Sequence, residues 1–232
     1  MEQTLKITNV LSDPTRYYIY QHVTKQNNEV TVQDIADCFE IHPNVARLHL
    51  SKLEDINLLT SETKKTGKGG RPSRLYRLSE DVVQLHFPFR DYKLLSKIAI
   101  QTMMKLGDAG IEALYDTGKT FGKELVEAHC NGTHINNASS FEEKLHILQN
   151  AANSAGFHPV FHPSEDQSKV HFQISNCPFK EVATTNPEII CNMHTAFLKG
   201  MFSSLFDSVE LIETDNMLQG CQTCAYQVHV TK

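Results

Sequence analysis

No run of eighteen apolar residues occurs in this chain, so no segment is long enough to cross a bilayer as a helix. The opening "MEQTLKITNV" lacks the basic start and long apolar core of a secretory signal. The expected compartment is the cytoplasm, with no membrane partner. Cysteine is scarce: six residues are too few to staple 232, and a reducing compartment disfavours disulfides. Cysteines clustered in such a setting bind metal or do redox chemistry more often than they cross-link. Apolar residues make up 40% and charged residues 21%, which excludes global disorder. The length is enough for one large or two modest domains with real cores.

Another absence is local. Between Lys64 and Arg77 there are six basic residues and no acidic one. Residues 1–80 carry a net charge of +1 and residues 81–232 a net charge of -6. A basic run in an acidic chain points to a nucleic-acid contact in one place, although a solvated loop would look the same if it stood alone.

It does not stand alone. "SDPTRYYIYQHVTK" opens with Ser12 or Asp13 as an N-cap and Pro14 in the first turn, and Tyr17, Tyr20 and Val23 recur at helical spacing. A second helix is expected from "TVQD", with Thr31 as cap, Asp34 completing a capping box, and Ile35, Ala36 and Phe39 as its apolar face. In "HPNVARLHLSKLEDINLL", Pro43 suits a first helical position and Ala46, Leu50 and Leu53 repeat along one face. Asn44, Val45, Arg47, Leu48, Ser51 and Lys52 then face outward, and Asn57 can end the helix in a left-handed conformation. Two β-compatible segments, "LLTSETKK" and "SRLYRLS", flank the Gly-rich basic loop "TGKGGRP". Helix, turn, helix and basic hairpin in that order describe a winged helix-turn-helix. In that reading Asn44, Val45, Arg47, Ser51 and Lys52 meet double-stranded operator DNA in the major groove. Lys68, Arg71 and Arg74 of the wing contact phosphate or the minor groove. The competing reading is a helical hairpin that binds protein.

The segment from Asp91 to about Ala128 reads as helical. Leu94, Leu95, Ile98, Met103 and Leu106 are spread around the helix, so it is buried on more than one side: as an inner core helix or, in the favoured reading, against its copy in a homodimer. "CNGTHINNASS" is a polar break. Beyond it, "SFEEKLHILQNAANSAGF" is an amphipathic helix capped by Ser140 and stopped by Gly156; "HPVFHP" and "KVHFQIS" are strands. "NPEIICNMHTAFLKGMFSSLF" is a further helix, and "SVELIET" and "AYQVHV" are closing strands. The expected fold is α+β: a winged helix-turn-helix domain at 1–85, a helical dimerisation region at 86–132 and a small α+β cysteine-containing sensor domain at 133–232.

The last domain holds Cys177 before a proline, Cys191 and His194 on one helical face, and Cys221 and Cys224 as a CxxC beside the last strand. Four chemistries compete for them. Structural zinc would take four thiolates, or three with His194. An iron–sulfur cluster would take thiolates with room for one other ligand. Cys221 and Cys224 would form a regulatory dithiol, or free cysteines would simply fill core space. No βαβ pattern surrounds the CxxC, as a thioredoxin-like enzyme would require, so an enzyme with a small-molecule substrate is not expected.

"LSDPTRYYIY" resembles the start of ArsR-type winged helix domains. "IHPNVARLHLSKLEDINLL" with "GKGGRPSRLYRLS" is similar to a bacterial repressor subgroup that includes the SufR-type regulators of iron–sulfur cluster assembly genes, although Asn57 stands where those sequences usually have Gly. "NCPFKEVATTNPEIICNMHTAFLKGMF" and "CAYQV" look like the sensor half of the same regulators. The resemblance implies a repressor with a [4Fe–4S] cluster on Cys177, Cys191 and Cys224, and His194 or Cys221 as candidates for the fourth position. Zinc is the alternative occupant.

Overall fold

The computed structural model describes residues 2–26, 28–64, 73–83, 85, 88, 90–130 and 140–231. The chain divides into two compact units, Met1–Arg90 and Asp91–Lys232, rather than the three regions expected.

In the first unit, α1 (Glu2–Leu11) and α2 (Pro14–Gln26) precede β1 (Val30–Thr31), α3 (Val32–Cys38), α4 (Pro43–Glu54), β2 (Leu59–Lys64) and β3 (Ser73–Leu78). Local chemistry sets most boundaries. The Asp13 carboxylate accepts from the Arg16 N–H at 2.9 Å and so caps α2. Thr31 and Asp34 form a reciprocal capping box on α3. Pro43 opens α4, and the His42 ring, unforeseen as a cap, accepts from the Asn44 N–H. Asn57 turns the chain out of α4 at φ 60°, tolerated by its short polar side chain. β2 and β3 pair antiparallel from Leu59–Leu78 to Lys64–Ser73, and β1 adds to the other edge of β3. The core gathers Ile19, Val23, Ile35, Leu50, Leu53 and Tyr76. Tyr17 is exposed, because Ile19 and Val23 take the inward positions of α2. Helix α1 had no clear signal in the sequence; it buries Ile7 and Val10.

The second unit contains α5 (Tyr92–Lys105), α6 (Asp108–His129), α7 (Phe141–Ser154), β4 (Val160–Pro163), β5 (Lys169–Ile174), α8 (Lys180–Ala183), α9 (Pro187–Ser203), β6 (Ser208–Asp215) and β7 (Cys224–Thr231). Its strands form an antiparallel sheet in the order β4-β5-β7-β6. Val170, Phe172 and Ile174 of β5 alternate inward, as period-two patterning requires. With Tyr226, Val228 and Val230 of β7 they share a core with Leu148, Leu198, Met201 and Phe202 of the helices.

The expected helical region 86–132 is not a separate body, because α6 packs on α9 inside this unit. Glycine makes that packing possible. A Cβ on Gly122 would lie 2.0 Å from the Phe197 carbonyl oxygen, and one on Gly200 would lie 2.0 Å from that of Lys119. The two backbones therefore touch where side chains would normally hold helices 8–10 Å apart. Helix α5 is the opposite case: none of its residues is buried. Leu94, Leu95, Ile98 and Leu106 are each more than half exposed.

Candidate functional site

Two surfaces carry chemistry, one in each unit. In the first, α4 buries Ala46, Leu50 and Leu53 and turns Asn44, Val45, Arg47 and Lys52 outward, with Ser51 half-buried. The Arg47 guanidinium donates to the Asn44 side-chain oxygen at 3.1 Å, so the two expected base readers already form one polar patch. His49, on the inward face, was not anticipated; burial lowers its pKa, and its Nδ1 has no hydrogen-bond partner.

Of the wing residues, Lys68 and Arg71 lie outside the described residues. Arg74 is engaged within the unit. Its Nη2 donates to both Glu54 carboxylate oxygens, at 2.9 and 2.8 Å, and its Nε to Ser61 Oγ at 2.7 Å. Ser61 Oγ in turn donates to Glu54 Oε1, and the Arg74 guanidinium lies 5.3 Å from the Tyr76 ring centroid. These contacts fasten the hairpin to the last turn of α4. Arg74 thus links the wing strand β3 to the end of α4.

In the second unit, three thiols converge from distant segments. Cys177 sits in the turn after β5, Cys191 in the second turn of α9, and Cys224 at the first position of β7. Burial is the main cause of a raised pKa in all three, with Cys177 pushed up to about 11. Their charges also oppose one another: Cys177 feels both Cys224 and Cys191, and Cys224 feels Cys191. The Met217 N–H donates to Cys224 Sγ at 3.4 Å, and the Asn216 side-chain amide to Cys191 Sγ at 3.7 Å. Tyr226 faces the same group, and its pKa is raised by burial and then by Cys224, Glu213, Cys177 and Cys191.

His194 is 3% exposed and stacks on Phe157 at 5.0 Å between ring centroids. Phe179 meets it edge-on at 5.4 Å. Its Nδ1 lies 3.8 Å from Cys177 Sγ, and its Nε2 has no partner. Burial depresses its pKa to about 4, so the ring is neutral.

Cys221 is exposed, and its thiol lies 3.9 Å from Asp215 Oδ1. Cys38, also exposed, belongs to the first unit, and buried Cys130 bonds the Val126 carbonyl. Glu213 is a residue the sequence reading missed. It lies on the inward face of β6, paired with Tyr226, and accepts from the Asn216 amide at 2.5 Å. It raises the pKa of both Cys191 and Cys224. The signal available was an acid at an inward position of an alternating strand. Glu188, Cys191, Glu213 and Asn216 line an open cleft of about 540 Å³, so of the three thiols Cys191 borders it.

Among the described residues, no three His, Cys, Asp or Glu side chains are already arranged to hold a metal ion. No described helix is long and apolar enough to cross a membrane.

Residues 11–62 match the family model of a helix-turn-helix domain, and residues 119–229 match that of Methanogen output domain 1. No curated protein matches the chain. Among solved structures, a trafficking protein particle complex subunit 3 from Naegleria fowleri, covalently bound to palmitic acid, is 15% identical. That match covers 60% of this chain and 94% of the other, with a TM-score of 0.45. The phenol-responsive sensory domain of the transcription activator PoxR, solved with phenol, is 14% identical over 79% of this chain and 89% of its own, with a TM-score of 0.45. Bacillus subtilis PadR in complex with operator DNA is 14% identical over 61% and 91%, with a TM-score of 0.25. Scores this low carry no functional argument. With the β2–β3 hairpin following the matched helices, the chain joins an N-terminal winged helix-turn-helix domain to a C-terminal α+β domain similar to Methanogen output domain 1.

Proposed function

We propose that this protein is a DNA-binding transcriptional regulator, a repressor without enzymatic activity, that senses iron or redox state through a [4Fe–4S] cluster in its second unit. The observation that carries the sensing half is that Cys224, buried, and Cys177 and Cys191, half-buried, act on one another's charge and have their ionised forms disfavoured. Thiolates buried together without a cation cost free energy; a metal centre supplies the compensating charge and takes the thiolate form. The donor set fits a thiophilic centre, and the unpartnered Nε2 of buried His194 stands beside it. In this reading Cys177, Cys191 and Cys224 hold the cluster. His194 or Cys221 is the candidate for the remaining corner, with His194 favoured by its 3.8 Å approach to Cys177. A bound cluster supplies a charge that depends on its oxidation state. The chain's own residues then exclude water with Phe157, Phe179 and Tyr226, and hold Cys191 and Cys224 through Asn216 and the Met217 N–H.

The DNA-binding half rests on α4 and the wing. Asn44, Val45, Arg47, Ser51 and Lys52 form the groove-facing surface, and Lys68, Arg71 and Arg74 belong to the wing. The protein acts as a homodimer in this reading. The exposed apolar residues of α5 suit burial against a second copy, which would place two reading helices on two half-sites.

Zinc is a second reading, favoured by Glu213: a carboxylate beside Cys191 and Cys224 is an ordinary zinc ligand and an uncommon cluster ligand. Anaerobic purification separates the two. A brown protein with broad visible absorbance, iron and acid-labile sulfide supports the cluster. A colourless protein with stoichiometric zinc supports the second reading. A metal-free protein overturns both. Ser at Cys177, Cys191 or Cys224 should abolish the bound metal, whereas Cys38→Ser and Cys130→Ser should leave it unchanged. Metal-loaded and chelator-stripped protein should differ in affinity for a duplex that the protein selects from a random pool. Equal affinities at matched salt would make the metal structural.

A further inference from the structure

We propose that an aromatic pocket beside the contact of α6 and α9 is a binding site for an organic cation with an apolar body, a ligand site that needs no metal. Phe121, Leu125, Phe157, Phe179 and Phe197 line a hollow of about 430 Å³, and Glu124 is the single charged residue on its wall. That volume is within the span of small-ligand sites, which are mostly apolar with a few polar groups that fix orientation.

The helix packing builds the hollow. Gly122 lets the backbone of α6 meet that of α9 at Phe197. Residues 121, 124 and 125 share one face of α6, so the same contact brings Phe121, Glu124 and Leu125 to the Phe197 side. Phe157 follows the end of α7, and Phe179 precedes α8. The rings of Phe157, Phe179 and Phe197 brace one another. Phe157 lies 5.9 Å from Phe179 and 5.7 Å from Phe197, and those two lie 6.3 Å apart, centroid to centroid. Phe157 is buried and makes a fixed floor, whereas Phe121 is 59% exposed and stands at the mouth.

Charge decides what such a hollow accepts. The face of an aromatic ring carries negative potential and attracts a cation within about 6 Å of its centroid. Glu124 adds a carboxylate, and neither Lys nor Arg lines the hollow. Glu127, three residues further on, is paired with Lys123, but Glu124 has no ion-pair partner among the described residues. Residues 81–232 carry a net charge of -6, so the wider field also draws cations. A hard inorganic cation needs several oxygen ligands, and one carboxylate among phenyl rings does not supply them. A weakly hydrated, substituted ammonium meets both requirements: its methyl or aryl groups cover the rings, and its charge faces Glu124. An apolar anion would meet the carboxylate and be repelled.

The test titrates phenyltrimethylammonium into the full-length protein at fixed salt, followed by nuclear magnetic resonance. Tert-butylbenzene, which has the same shape without the charge, and benzenesulfonate, an anion, are the comparisons. The cation should bind once per chain and about tenfold more tightly than tert-butylbenzene, and benzenesulfonate should not bind. Glu124→Gln should weaken the cation about two- to fivefold and leave tert-butylbenzene unchanged, while Phe121→Ala should weaken both. Both side chains are exposed, so neither substitution opens the core. Equal or tighter binding of tert-butylbenzene would overturn the proposal and make the hollow a site for neutral apolar molecules. Preference for benzenesulfonate, no saturable binding at millimolar cation, or unchanged cation affinity in Glu124→Gln would overturn it as well. Metal content enters none of these readings, so the metal-sensing proposal and this one stand or fall separately.

Discussion

In the first unit the groups with chemistry to offer face outward from a closed core, whereas in the second they face inward. Asn44, Arg47 and Lys52 project from α4, while Leu50 and Leu53 on the opposite face fix the helix. Those polar groups are exposed to solvent. Cys177, Cys191, Cys224 and His194 are held among Phe157, Phe179 and Tyr226, where burial moves every one of them toward its neutral form. An outward site acts through a screened field and changes affinity in small steps. An inward site is costly to build, because each of its polar groups gives up water on burial.

The strongest challenge to this contrast is at the helix contact that frames the inward site. Gly122→Ala places a Cβ 2.0 Å from the Phe197 carbonyl oxygen, and backbone cannot rotate away. The second unit should lose about 3 kcal/mol or more. Chemical denaturation checks this, and a wild-type midpoint would mean that α6 and α9 are not in backbone contact.

Next in size is the acid response. The folded-state pKa of His194, about 4, lies below its ordinary 6.5, so the unfolded chain binds the proton first. Stability from this ring is intact above pH 6.5 and is lost as the pH falls toward 4, by on the order of 3 kcal/mol. Denaturation of metal-free protein at a series of pH values should show this slope, and His194→Phe should flatten it. An unchanged slope in that variant assigns the acid sensitivity elsewhere, and His49, lowered in the same direction, is the first place to look.

Arg47→Ala should weaken binding to the selected duplex by roughly 1–3 kcal/mol and relax its sequence preference, with no change in thermal stability. Equal affinity would place the reading surface on another face. The smallest effect belongs to Lys52→Ala. It should weaken all duplexes alike and reduce the slope of log affinity against log salt by about one. A sequence-selective loss would promote Lys52 to a base contact.

The first unit was legible because its instructions are local. Thr31 with Asp34, Pro43, Asn57 and the strands flanking a Gly-rich basic loop each act within a few residues. Tyr17 was misleading because helical spacing alone does not say which face turns inward, and Ile19 and Val23 took it. The Arg74–Glu54 pair was not legible, because its two members lie twenty residues apart on different elements. In the second unit the elements were legible but the partnership of α6 with α9 was not, since Gly118, Gly122 and Gly200 read as helix-weakening residues until a second backbone is placed against them. The apolar residues of α5 promised burial, yet this single chain leaves them exposed.

What the sequence determined by itself is the order and kind of most elements and the outward face of α4. Caps, turns and periodicity are short-range, and their energies are decided before any tertiary contact forms. Only the tertiary structure decided that Cys177 comes beside His194, that Glu213 acts on Cys191 and Cys224, and that Glu181 reaches Lys93. Desolvation and charge coupling depend on distance in space, and segments far apart along the chain acquire that distance only when the sheet and its helices close around a common core.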